Sequence, residues 1–119
     1  MILPSKELLS EVLCVHVRDD WYFDCEILVY AYDKILGLDE NYKAEINIYE
    51  LAYKCKEWAK LKYFIDIDSH LGCARWGAEA VSHNGRPSVF YEQVFIGRTE
   101  PEAIFKACEY IMEQTKCGS

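Results

Sequence analysis

From Trp21 to Tyr32 the chain largely alternates, W-Y-F-D-C-E-I-L-V-Y-A-Y. A period of two sends successive side chains to opposite faces of a strand. The run predicts one long strand. Trp21, Phe23, Cys25, Ile27, Val29 and Ala31 would face a core, and Tyr22, Asp24, Glu26, Leu28, Tyr30 and Tyr32 would face out. Such a strand must pair with others and be covered on its apolar face. The chain therefore needs a sheet with something packed on it.

The flanking residues supply both. Ser5 caps a short helix to about Leu13, with Leu8, Leu9, Val12 and Leu13 as its apolar stripe. Val15 and Val17 then begin a strand. A three-residue loop, Arg18-Asp19-Asp20, pairs Val17 with Trp21 and Val15 with Phe23, which keeps both valines inward. Residues 35–40 form a loop containing Gly37, and Tyr42, Ala44 and Ile46 mark a third strand. Asn47 followed by Glu50 starts a helix to about Lys62, buried along Ile48, Leu51, Ala52, Cys55, Trp58 and Ala59. Residues 63–68 form a strand. Residues 73–82 and 88–96 form a hairpin around His83-Asn84-Gly85-Arg86, since Asn-Gly tolerates the positive φ angles of a tight turn. Trp76, Ala78, Ala80, Val89, Tyr91 and Phe95 would pack inward, and Arg75, Glu79 and Glu92 outward. Thr99, Pro101 and Glu102 open the last helix, with Ala103, Ile104, Ala107, Cys108, Ile111 and Met112 buried. The order is α-β-β-β-α-β-β-β-α. The fold class is α+β, a mostly antiparallel sheet with helices packed on one face. One domain spans residues 1–117, and Gly118-Ser119 reads as a cloning remnant.

The length of 119 residues and an apolar fraction of 51% suffice for a packed core. No apolar run approaches the ~20 residues of a membrane span, and no secretory signal opens the chain, so a cytoplasmic protein is expected. Six cysteines (Cys14, Cys25, Cys55, Cys73, Cys108 and Cys117) show no C-x-x-C or zinc spacing. They read mostly as reduced, small buried hydrophobes.

The net charge is −7, and residues 19–45 carry −6 of it. This balance disfavours direct nucleic-acid or membrane binding and favours a basic partner. Within that window Asp19, Asp20, Tyr22, Asp24, Glu26, Tyr30, Tyr32 and Asp33 interleave carboxylates with phenols. Tyrosine gives large contact area at low entropic cost, so this set is the candidate partner-binding surface. A homodimer through the tyrosine face is a second arrangement the pattern allows.

Three constellations could carry other chemistry. Asp66, Asp68 and His70 would share one strand face and could contribute to a divalent-cation site. Cys14, His16 and Asp24 would lie together in the preferred register, as a thiol, an imidazole and an orienting carboxylate. An acidic strand face raises a thiol's pKa, however, and supplies no oxyanion donors. His83 falls in the hairpin turn. No phosphate loop, dinucleotide fingerprint or hydrolase elbow is present and no cofactor is implied, so a non-enzymatic chain is expected, with a small metal- or thiol-dependent enzyme as the alternative.

Two segments carry a resemblance. Residues 47–59, N-I-Y-E-L-A-Y-K-C-K-E-W-A, and 99–111, T-E-P-E-A-I-F-K-A-C-E-Y-I, resemble helices of small uncharacterised proteins of bacterial prophages and mobile elements. The resemblance implies genomic context and scaffold, not catalytic residues. It also implies an inhibitor or regulator that docks on a basic, nucleic-acid-binding surface of a host defence protein or nucleoprotein complex.

Overall fold

Ser5 starts the first helix as its sequence predicts. Its hydroxyl accepts a hydrogen bond from the Leu8 N–H at 3.2 Å, satisfying one donor that the first turn would leave orphaned. The computed structural model describes residues 4–33, 41–72, 74–82 and 94–117. Helix α1 spans Lys6–Leu13 and ends at Cys14, which takes the left-handed conformation (φ 58°).

Strands β1 (His16–Asp24), β2 (Ile27–Asp33) and β3 (Asn41–Asn47) form an antiparallel sheet in that order. The long strand expected over Trp21–Tyr32 is two strands, folded back at Cys25-Glu26. Asp24 pairs with Ile27, and Cys25 supplies a positive φ of 55° for the turn. Residues flanking a two-residue turn pair directly and share a face, so the alternation inverts across it. Trp21 and Phe23 lean on the core as expected. Beyond the turn, however, Leu28, Tyr30 and Tyr32 join them, and Ile27, Val29 and Ala31 take the opposite face, where Ala31 is nonetheless buried. The loop expected at Arg18-Asp19-Asp20 is a bulge within β1. Val17 pairs with Tyr32 and Trp21 with Tyr30, so residues 18–20 stand opposite Ala31 alone, and the expected Val17–Trp21 pairing does not form. Val17 is nevertheless fully buried.

Asn47 Oδ1 accepts from the Tyr49 N–H at 2.8 Å and opens helix α2, Ile48–Tyr63. The expected stripe Ile48, Leu51, Ala52, Cys55, Trp58 and Ala59 is buried along it. Phe64 ends α2 in the left-handed conformation. Strands β4 (Ile65–Leu71), β5 (Trp76–Ser82) and β6 (Val94–Gly97) form a second antiparallel sheet, ordered β4-β5-β6. The ladder between β4 and β5 runs unbroken from Ile65↔Ser82 to Leu71↔Trp76. The expected turn at His83–Arg86, with Val89, Tyr91 and Glu92, lies outside the described residues.

Helix α3 spans Glu100–Cys117. Thr99 Oγ1 accepts from the Glu102 N–H as its sequence predicts, and the Glu102 carboxylate reaches back to accept from the Arg98 N–H, one residue before the cap. Gly97 lets β6 pass beneath this turn, since a Cβ there would sit 2.6 Å from the Ala103 nitrogen.

The chain is therefore α+β in the expected element order, with its antiparallel strands divided between two three-stranded sheets. One core joins α1, α2 and α3 to the inner faces of both, through Leu8, Leu9, Leu28, Leu51, Ile65, Ile67, Ala78, Phe105 and Ile111. Each fully buried leucine or isoleucine contributes about 1.5–3 kcal/mol. The outer face of each sheet lies away from these helices.

Candidate functional site

The turn at Cys25-Glu26 decides what the first sheet shows to solvent. Directly paired residues share a face, so two rows run across the outer side, Asp24–Ile27–Asn47 and Tyr22–Val29–Glu45. Ala31 and Lys43 make the next row. Tyr22 is 58% exposed and Ile27 38% exposed, and Asp24, Glu26, Glu45 and Lys43 are exposed too. At a strand spacing of ~4.8 Å, Tyr22 and Glu45 stand roughly 10 Å apart.

The turn is also anchored. The Glu26 carbonyl accepts from the Ile48 N–H at 2.8 Å, tying the hairpin tip to the start of α2. The arrangement is a small apolar centre (Tyr22, Ile27, Val29) ringed by Asp24, Glu26 and Glu45, with Lys43 at one side.

Several of the predicted binding residues are placed elsewhere. Tyr30 is buried and Tyr32 is partly buried on the core face, their rings 5.8 Å apart. Burial, then the neighbouring Tyr32 and Glu50, raise the Tyr30 phenol pKa above its ordinary value. These two phenols leave the candidate surface because the alternation inverts at the turn. Asp19 lies at the bulge and pairs with Lys6 at 3.0 Å. Asp20 and Asp33 are described in backbone only, within β1 and β2. Tyr22, Asp24 and Glu26 remain together. Ile27, Val29 and Glu45 join them, which sequence reasoning missed for the same reason.

The Cys14, His16 and Asp24 set disperses. Asp24 pairs with Ile27 and His16 with Asp33, at opposite ends of the nine-residue β1. They are roughly 26 Å apart at the strand rise. Cys14 lies outside the strand, in the cap of α1, with its thiol 3.7 Å from the Glu11 carbonyl oxygen.

Asp66, Asp68 and His70 do share the outer face of β4, and Asp68 stands directly opposite Glu79 on β5. Among the described residues, no three His, Cys, Asp or Glu side chains come close enough to hold a metal ion. The cysteines divide. Cys55 and Cys108 are buried as expected, and burial foremost holds the Cys108 thiol pKa well above its ordinary value. Cys14 and Cys25 are exposed, contrary to the small-hydrophobe reading, because each occupies a left-handed turn position at the surface.

One polar cluster had no signal in the sequence. Lys56 Nζ on α2 donates to Ser69 Oγ on β4 at 2.9 Å, and Ser69 Oγ donates to Glu100 Oε2 at 2.6 Å. A serine between a lysine and a carboxylate resembles a nucleophilic site in its parts. Here it joins three elements at once. The serine proton is committed to Glu100 and a serine lone pair to Lys56, so the cluster acts as a charge-assisted clamp.

Comparison with known proteins returns no matching family model, no matching curated protein and no matching solved structure. Among the described residues, no helix is long and apolar enough to cross a membrane. The fold and the geometry of this face therefore carry the functional reading.

Proposed function

We propose that the protein is a non-enzymatic binding module whose first-sheet outer face docks a basic partner. One observation carries the reading. A tyrosine and an isoleucine stay exposed at the turn end of the first sheet's outer face, with three exposed carboxylates around them. Apolar patches rimmed by charge are characteristic of protein-binding surfaces, and tyrosine is enriched among the residues that dominate binding energy. The carboxylates steer a cationic surface and fix its orientation, while the Tyr22–Ile27–Val29 centre supplies the desolvated contact. A lysine- and arginine-lined groove that ordinarily holds nucleic acid has the complementary charge. In a phage or mobile element, such a module would act as an inhibitor or regulator of a host defence protein with a groove of that kind.

The test is affinity capture from bacterial lysate, with the parent and with a variant carrying Asp24→Lys, Glu26→Lys and Glu45→Lys, at low and at high salt. A partner held by the parent at low salt should be lost with the triple variant and weakened by salt. Tyr22→Ala should weaken the same complex by about 2 kcal/mol. Equal capture by the parent and the triple variant would reject the reading.

A further inference from the structure

The second sheet carries a different feature, independent of the face just described. Strand β4 (Ile65–Leu71) is an edge strand, and no described strand pairs with its other side. Its seven residues include no proline, and its ladder to β5 has no register shift. Natural edge strands are usually blunted by bulges, prolines or brevity. β1 is bulged. β4 has none of these three devices, like β3 (Asn41–Asn47) of the first sheet, and it carries a groove beside it.

A groove of about 490 Å³ runs beside that edge. Tyr53, Lys56, Glu57, Lys60 and Leu61 of α2 form one wall, and Asp66, Ile67 and Asp68 of β4 form the other. Tyr53 and Leu61 are 62% and 79% exposed, although large apolar side chains repeating along one helix face usually pack against a neighbour. They belong to an exposed stripe on α2 that begins at Tyr49. The groove thus offers a backbone edge for hydrogen bonding and large apolar side chains beside it.

The charges on β4 select the occupant. Ile65 and Ile67 face the helices, and Asp66 and Asp68 face the opposite side, where Asp68 already stands against Glu79. A second copy joined two-fold about the middle residue of β4 would set Asp68 against the Asp68 of its mate. Like charges directly opposite one another are unfavourable, whereas lysine or arginine at those positions is favourable.

We propose that the β4 edge takes up an extended segment of a partner protein as an added strand. In that segment, lysine or arginine alternates with apolar residues. The basic side chains lie beside Asp66 and Asp68, and the apolar ones turn toward Tyr53 and Leu61. Backbone hydrogen bonds supply affinity and the alternation supplies specificity.

The probe is a fluorescent peptide of about eight residues, a typical strand length or slightly more, alternating lysine and valine. Its binding is followed by anisotropy, with amide shifts recorded by NMR. Saturable binding with shifts concentrated in Ile65–Leu71 is expected. Asp68→Lys should weaken it about fivefold or more, and Leu61→Ser should weaken it while the circular dichroism stays native. N-methylation of every second residue along the bonding edge should abolish binding, which simple charge attraction would not predict.

A peptide of the same composition with its lysines and valines in separate blocks should bind poorly. Equal binding of the block peptide would overturn the proposal, as would shifts outside β4 and α2. So would self-association of the protein through β4 without any peptide. The triple charge reversal on the first sheet should leave peptide binding in place. Its loss there, with Asp68→Lys silent, would also overturn the proposal.

Discussion

Gly97 gives the most stringent test of the packing that holds the second sheet under α3. Gly97→Ala adds one methyl group, 2.6 Å from the Ala103 nitrogen, 3.0 Å from the Glu102 Cβ and 3.1 Å from the Glu102 carbonyl carbon. The closest of these is about 0.8 Å short of ordinary contact, and it is helix backbone, which no rotamer change can move. Either β6 or the first turn of α3 must shift by nearly that distance. The helix is held in place by buried Ala103, Ile104 and Ala107 behind it. The same turn carries Glu100, so the displacement also draws the carboxylate away from Ser69. Overpacking of a fitted interior costs about 1–3 kcal/mol. Two backbone atoms and a Cβ crowd the added methyl, so a loss near about 3 kcal/mol is expected. At this chain length that corresponds to a fall in Tm of roughly 12 °C. Urea unfolding followed by far-ultraviolet circular dichroism measures it, with an unchanged slope showing that the denatured state is unaltered. A Gly97→Ala protein within about 0.5 kcal/mol of the parent would refute the close approach of β6 to α3.

Two further outcomes follow from the buried groups. The Tyr30 phenol is held above its ordinary pKa by burial, Tyr32 and Glu50, so unfolding makes it easier to ionise. The stability this contributes is complete below about pH 10 and is lost as pH rises through the folded-state value. Tyr30→Phe should therefore flatten the alkaline fall in stability, and an unchanged fall would contradict the burial of that ring. Cys14 and Cys25 should react promptly with a thiol reagent in the native protein, whereas Cys55 and Cys108 should react only on unfolding, as peptide mass mapping can establish. Prompt alkylation of Cys108 in native protein would contradict the packing of α2 on α3.

The helices were the most legible part of the sequence because their signals are local. Ser5, Asn47 and Thr99 each cap the helix that follows them, and the apolar stripes of α2 and α3 are buried as their spacing predicts. The element order and the inward positions of Trp76, Ala78 and Ala80 were legible for similar reasons. The first hairpin was not. A two-residue turn is normally announced by glycine or asparagine at positive φ, and here a cysteine takes that role between two acids. Alternation alone cannot separate one long strand from two strands folded at such a point. The same ambiguity decides the candidate site: one unbroken strand puts Tyr30 and Tyr32 in solvent and Ile27 and Val29 in the core, and the turn reverses both. The clamp of Lys56, Ser69 and Glu100 was illegible for another reason, since its members are brought together only by tertiary packing.

The Cys25-Glu26 turn has an evolutionary consequence. Because its length fixes which side chains of β2 meet water, lengthening or shortening it by one residue would exchange Tyr30 for Val29 in the interior without altering any other amino acid. Relatives of this chain should therefore keep the number of these two residues fixed, with position 25 held to residues that tolerate a positive φ. An ancestor with a different turn length would have presented a phenol-rich exterior built from the same strand.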